Sequence, residues 1–337
     1  MLDKNGNEIR RGDTIRKAYE TGVASGRGAT KIKAKTVTFA DQAEKFLADG
    51  ATRKRNPLRP ASLRTYRTVL NTLLPLIGKL SLETVGNKVV KDVVTKLSDE
   101  GYSARSIALN VVLIKKIRRS AISEDGDPLF PYEWNTDVID APSTDGDKQP
   151  TVSAQQVQDA ISKADTSRKA LYALLASTGL RIAEALAIKA GPDDGVSTIW
   201  LPFESKIIVR QQMTRTGLGP TKTKAGVREV DLAPELNEYL SKIVNSDTAL
   251  YPVFMESESN YRGLLKKDGI AGGFHAFRRF RITHLRLSGV PDALIKFWVG
   301  HAAGNVTEHY TQVAGEIESR KSWAAKAGIG FKLPEAE

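Results

Sequence analysis

Apolar residues along this chain fall into a helical period, then a short strand period, then helices again. Thr38 stands as a candidate N-cap before Phe39, Ala43, Phe46 and Leu47, which recur at helical spacing. After a basic loop, Ser62 is expected to cap a helix with Leu63, Tyr66, Val69, Leu70, Leu73 and Leu74 on one face, ended by Pro75 and Gly78. Residues 84–97 repeat the pattern with Val85, Val89, Val93, Val94 and Leu97. Ser103 opens a further helix with Ile107, Val111, Ile114 and Ile117 inward and Lys115, Lys116, Arg118 and Arg119 outward. Four amphipathic helices on short connections predict a small bundle over 37–123. Residues 124–150, rich in Pro, Gly and acids, read as an interdomain linker, with Leu129, Phe130, Tyr132 and Trp134 docked on one neighbour.

Ser153 caps the next helix through Val157 and Ile161, and another spans about 168–176. Thr178-Gly179 breaks it, and Arg181 opens a helix carrying Ala185, Leu186 and Ile188. Residues 198–201, 206–209 and 227–232 then read as three short strands, the last two joined by the Gly- and Pro-containing stretch 216–226. Helices are expected again at 234–243, 259–267 and 317–327. The predicted class is α+β and mostly helical: a helical N-terminal domain, then a domain over 151–315 with a small antiparallel sheet. Residues 316–337 form a tail.

Composition narrows the picture. A chain of 337 residues can bury two cores. No apolar run approaches membrane-spanning length and the polar N-terminus lacks a signal-peptide core, so a cytoplasmic protein is expected. With no cysteine, disulfides and thiolate metal sites are excluded. A net charge of +11 and a pI near 9.6 suit a polyanionic partner. Residues 1–36, with Arg10-Arg11, Arg16-Lys17, Lys31, Lys33 and Lys35, read either as a basic arm on DNA phosphates or as a solvated tail. Arg53, Lys54, Arg55, Arg64, Arg67, Lys115, Arg118 and Arg279 are the candidate DNA contacts.

The candidate chemistry gathers late in the chain. His275 and Arg278 stand three positions apart, on one helical face, and together offer N–H donors with no fixed negative charge. Gly300-His301 follows, and Tyr310 stands nine residues beyond His301. Upstream, Ser177-Thr178-Gly179-Leu180-Arg181 adds a second guanidinium, with Glu184 placed to hold it. Lys222 and Lys224 lie on a turn, Thr221-Lys222-Thr223-Lys224-Ala225-Gly226. Two guanidiniums and two imidazoles suit a phosphodiester whose charge grows during attack. His284 reads as a packing residue, and His309 as shaping the turn beside Tyr310. No His-x-x-x-His spacing exists and the arginines would repel a cation, so no metal is expected.

In this order, Arg181, a hairpin lysine, His275-x-x-Arg278, Gly300-His301 and Tyr310 resemble the tyrosine recombinase (phage integrase) family. The resemblance covers about residues 38–315, and its motifs lie after 177. It implies a SAM-like core-binding domain as a DNA clamp, followed by a catalytic domain. It further implies Tyr310 as nucleophile, a 3′-phosphotyrosine intermediate, and Lys222 as general acid with Lys224 as the alternative. No cofactor or ATP is implied; no Gly-x-x-x-x-Gly-Lys-[Ser/Thr] loop is present. The implied partners are double-stranded DNA, a homo-tetramer on synapsed sites, and accessory DNA-bending or directionality proteins. Protomers would be linked by a terminal segment, expected at 316–330 through Ile317, Trp323 and Ala324. The family often has a histidine and a small hydroxyl residue after the second arginine; here stand Arg279 and Phe280. The expected function is integration or excision of a mobile element, encoded by a bacterium or phage. The alternatives are a type IB topoisomerase or telomere resolvase, and a non-catalytic DNA-binding regulator. Two domains and the chain length favour the recombinase.

Overall fold

The computed structural model describes residues 37–144, 150–221, 223–244, 251–254, 256–301 and 313–335, with backbone only at 224, 251 and 252. The basic arm 1–36, Lys222, His309 and Tyr310 lie outside the described residues. The chain divides into two compact units, Met1–Asp147 and Lys148–Glu337.

In the first unit, α1 (Phe39–Thr52) starts on a capping box: the Thr38 hydroxyl accepts from Asp41 N, and the Asp41 carboxylate reaches back to Thr38 N. Helix α2 (Pro60–Ile77) begins earlier than expected. Arg59 is its N-cap and Pro60 fills the first turn, where a missing N–H costs nothing. Helices α3 (Asn87–Asp99) and α4 (Ala104–Arg119, capped by Ser103) complete the bundle. Phe39, Leu73, Leu82, Val85, Leu97, Leu113, Ile114 and Ile117 are fully buried between them. Much of the expected linker belongs to this unit. Phe130, Trp134 and Ala141 pack against its core, and so does Ile139 of the short helix α5 (Thr136–Ile139). The Tyr132 hydroxyl accepts from Asn87 N at the start of α3, while Leu129 stays exposed.

One candidate DNA contact is corrected here. Arg118 is buried, its guanidinium donating to the carbonyls of Phe130, Glu83 and Val85 and lying over the Tyr132 ring. It stands four residues after Ile114 and seven after Val111, on the apolar face of α4. Its donors are spent on the fold.

The second unit is built around α7 (Thr166–Thr178), buried at every residue from Ala170 to Thr178. It packs against α6 (Ala154–Lys163, capped by Ser153), α9 (Pro234–Ile243) and α11 (His275–Leu287). The helix expected to run through Ile188 is one turn only, α8 (Ile182–Ala185); Ile188 instead opens strand β1 (Ile188–Ala190). The three expected strands are β2 (Thr198–Leu201), β3 (Lys206–Val209) and β6 (Arg228–Asp231). With β7 (Tyr251–Pro252) they form a sheet of order β6-β3-β2-β1-β7. The β2–β3, β3–β6 and β1–β7 pairs are antiparallel, but β1 runs parallel to β2, with Ile188 opposite Thr198. The sheet is therefore mixed rather than antiparallel. A separate hairpin, β4 (Gln211–Thr214) with β5 (Gly217–Pro220), precedes the lysine turn. Helices α10 (Glu258–Leu265), α12 (Asp292–Val299) and α13 (Ile317–Ala327) complete the unit.

Helix α13 packs on its own unit: Ala324 and Ala327 are buried, Trp323 lies against the core, and Arg320 is 1% exposed. Ile317, expected with Trp323 and Ala324 to pack into a neighbouring protomer, is 46% exposed on its own chain, whereas the other two pack within it. The chain after α13 is held as well. Arg281 donates to Gly328 O, the His284 ring bonds Ala327 O, and Ile329 N donates to Glu235 Oε1.

Candidate active site

Helix ends assemble the site. The C-terminus of α7 turns at Gly179, whose φ of 69° is the left-handed conformation glycine adopts without strain. The turn delivers Arg181 as N-cap residue of α8. Glu184, one turn on, is 2% exposed and holds Arg181 twice: one carboxylate oxygen accepts from Arg181 N at 3.0 Å, the other from Nη1 at 2.7 Å. The Arg181 side chain itself remains 30% exposed, so it can still meet a ligand.

Arg278, on α11, is buried, and donates to Gly179 O at 2.7 Å and Val299 O at 2.6 Å. Those carbonyls end α7 and α12, and a helix C-terminus carries partial negative charge that favours a cation. The two bonds use two of a guanidinium's five donors. Burial, then the neighbouring Arg181 charge, push the Arg278 guanidinium down to about 9, which leaves it cationic at neutral pH. His275 opens α11 and is exposed. It titrates below its ordinary value, through desolvation first and then the Arg278, Arg279 and Arg181 charges.

Helix α12 ends in a Schellman turn: Gly300 takes φ 67°, and His301 N donates back to Lys296 O. A Cβ at Gly300 would lie 2.8 Å from Arg228 Nη1 and 3.0 Å from Ala225 O, so close approach also requires glycine here. His301 is exposed and also titrates low, from desolvation first, then Arg278, Arg181, Arg228 and Lys296. Both histidines thus sit in the field of both Arg181 and Arg278. Four of the sequence-selected residues converge.

Glu184 was placed only as a support for Arg181; it also faces a residue the sequence reading passed over. Arg228, 5% exposed on β6, donates to Glu184 Oε2 at 2.9 Å, Trp298 O at 2.6 Å and Gly226 O at 2.9 Å. Burial would raise the Glu184 carboxyl, but the Arg228 charge and its hydrogen bond, with Arg181, hold it below the usual range. The strand parity carried the signal, because Arg228 alternates in phase with buried Val230 and Leu232. Arg279 is half-buried and donates to Pro150 O. Of the lysine turn, the backbone of the short 3-10 segment Lys224–Gly226 is described.

No protein-family model matches the chain. A resolvase of Escherichia coli is 25% identical over 202 residues, spanning 51% of this chain and 75% of the relative. The integrase of transposon Tn1549, solved with transposon right-end DNA, superposes with a TM-score of 0.62 at 18% identity, over 84% of this chain and 98% of that one. The chain has the fold of the tyrosine recombinases. A lambda integrase tetramer bound to a Holliday junction also shares the fold, with a TM-score of 0.54 at 17% identity over 90% of this chain and 92% of that one. Both structural alignments span more of the chain than the 202-residue sequence match, so the tyrosine recombinase fold extends beyond the reach of sequence identity. Among the described residues, no helix is long and apolar enough to cross a membrane.

Proposed function

We propose that this protein cuts and rejoins DNA at specific sites through a phosphotyrosine intermediate. The observation that carries the reading is the convergence of Arg181, Arg278, His275 and His301 at the ends of three helices on this fold. A scissile phosphate bound there gains more from the guanidiniums as its charge grows, which lowers the barrier rather than only tightening binding. Tyr310 attacks phosphorus. A free tyrosine ionises only near about pH 10, and the cation cluster favours its phenolate. The DNA 3′-phosphate becomes bonded to the tyrosine oxygen while the 5′-oxygen leaves, taking a proton from Lys222, or from Lys224 in its place. A 5′-hydroxyl of another strand reverses the step, and since bond energy is conserved no ATP is required.

Double-stranded DNA is the proposed substrate and a homo-tetramer on two synapsed sites the proposed assembly, a reading supported by the lambda integrase of the same fold, solved as a tetramer bound to a Holliday junction. Arg53, Lys54, Arg55, Arg64 and Arg67, all exposed, and half-buried Lys115 are the proposed phosphate contacts of the helical unit. Accessory DNA-bending proteins would set direction. The biological setting that fits is integration or excision of a mobile element.

The test is covalent trapping on duplexes tiled across the DNA flanking the gene, each nicked beyond a candidate cleavage point, without metal or ATP. Wild type should give SDS-resistant adducts mapping to Tyr310, and Tyr310→Phe should give none. Adducts in Tyr310→Phe would remove the nucleophile assignment. Tight DNA binding with no adduct on any duplex would instead favour a regulator.

A further inference from the structure

Arg228 reaches three separate parts of the site at once. Through Glu184 it touches the residue that holds Arg181; through Trp298 O it holds the end of α12 that leads into His301; through Gly226 O it holds the lysine turn. Those acceptors lie 44, 70 and 2 residues away along the chain. The fit is close on every side. A Cβ at Gly300 would touch the Arg228 guanidinium and Ala225 O, and one at Gly226 would lie 2.6 Å from Thr221 Cβ. Arg228 itself is buried, and all three of its nitrogens donate to oxygens of the protein.

We propose that Arg228 is a positioning residue for DNA cleavage: it fixes Arg181, His301 and the lysine turn in one mutual geometry before DNA arrives. The inference rests on the recombinase reading and deepens it. The physical need is plain. Glu184 is buried between two guanidiniums, and with Arg228 present its charge is shared. Without Arg228, the buried carboxylate has Arg181 as its remaining cation and draws that guanidinium inward, away from a phosphate. At the same time the α12 end loses the donor on Trp298 O, and the lysine turn loses the one on Gly226 O. A lysine could keep the charge but not the planar fork that serves three acceptors.

The experiment uses the full chain in three versions: wild type, Arg228→Lys, and the double variant Arg228→Met with Glu184→Gln, which removes both buried charges. Thermal unfolding and DNA affinity are measured for each. Adduct formation is then timed at saturating nicked DNA. Because small misplacements of catalytic groups cost about 100-fold, Arg228→Lys should slow cleavage by roughly that factor with DNA affinity within about threefold of wild type. The double variant should stay equally slow even though it carries no unpaired buried charge. A role confined to stability predicts the opposite: near-wild-type cleavage in whichever variant melts normally. Cleavage by Arg228→Lys within about threefold of wild type, or recovery in the double variant, would overturn the proposal.

A second readout separates this inference from the recombinase reading. In histidine-selective NMR titrations, His301 of Arg228→Lys should titrate closer to its ordinary value than in wild type, with His275 unmoved. Desolvation is the largest cause of the low His301 titration and lysine retains the minor Arg228 charge, so a clear return toward the ordinary value reports that the turn has moved toward solvent. An unchanged His301 in folded Arg228→Lys refutes the positioning role whether or not any DNA is cut. Absence of wild-type adducts refutes the recombinase reading instead.

Discussion

Replacing Arg320 by methionine should unfold the second unit more readily than any surface change, and the structure sets the size of the effect. The side chains of Arg320 and Asp231 are each 1% exposed, with Nε 2.9 Å from Oδ2. Arg320 also pairs with Glu229 and donates to Ala314 O. Methionine matches much of its length, and loses little packing against the Phe297 ring that the guanidinium covers at 5.1 Å. The cost therefore comes from the carboxylates left behind. Glu229 keeps Lys206 at 3.2 Å, but among the described residues Asp231 keeps only the neutral Trp298 indole N–H at 2.8 Å. Breaking such a pair on one side costs about 3–5 kcal/mol, whereas removing both charges is close to neutral. At roughly 2–4 °C per kcal/mol for a unit of this size, Arg320→Met should melt about 10 °C lower. Adding Asp231→Asn should recover most of that. Calorimetry gives the melting temperatures, and hydrogen exchange over 317–327 shows whether α13 is what loosens. A loss under about 1 kcal/mol, or a double variant no more stable than the single one, would refute the reasoning.

Gly300→Ala should cost about 1–3 kcal/mol, since a left-handed residue would gain a Cβ against Arg228 and Ala225, and urea denaturation reads it directly. Adduct formation should fall further than DNA affinity, because the strained turn precedes His301. In the first unit, Arg118→Met should destabilise by about 2 kcal/mol or more, as three carbonyls lose a charged donor. By contrast, Arg64→Ala and Arg67→Ala should leave stability within about 0.5 kcal/mol and each reduce the salt slope of DNA binding by about 1. Both active-site histidines titrate low in the folded state, so the unfolded chain binds more protons as pH falls through about 6.5. Stability should therefore be held above that pH and decline below it, and His275→Gln with His301→Gln should flatten the slope in that window.

What was legible in the sequence follows from what is local. The helices of the first unit declared themselves by period, and Thr38, Ser103 and Ser153 by the capping chemistry of short polar side chains. His275 and Arg278 could be paired because residues three apart share a helical face, whereas Arg181 and His301 were picked out by the resemblance to a family's order of motifs. The parallel β1–β2 pair was not, since a three-residue strand has no period of its own and pairs only once the sheet exists. Ser62 lost the cap of α2 to Arg59 because Pro60 is better suited to the first turn. The larger omission was shared by Arg118, Arg228 and Arg320. Each stands in phase with buried neighbours, as Arg320 does with Ala324 and Ala327, yet Arg118 was expected outward and the other two were given no role. Each also has a partner more than 30 residues away, beyond any local pattern.

The buried charges of the second unit then say where its fold gives way to function. Among the described residues they are Glu184, Arg228, Asp231, Asp268, Arg278, Arg281 and Arg320. Glu184 is matched by Arg228, Asp231 by Arg320, and Asp268 by Arg168 at the edge of the core. Arg278 and Arg281 remain, both on α11 and both held by backbone carbonyls rather than carboxylates. Burial lowers both, to about 9 and about 10. A buried cation without a counter-charge costs stability, and a sequence selected for stability alone would have little reason to keep two on one helix. For Arg281 the C-terminal segment supplies an acceptor at Gly328 and a nearby carboxylate, Glu235. For Arg278 the carbonyls at Gly179 and Val299 fix the plane of the guanidinium, and its nearby carboxylate, Glu184, is already hydrogen-bonded to Arg181 and Arg228. Under the proposed function, the charge that completes this set is that of the scissile phosphate, so Arg278 would trade stability of the fold for stabilisation of the reaction.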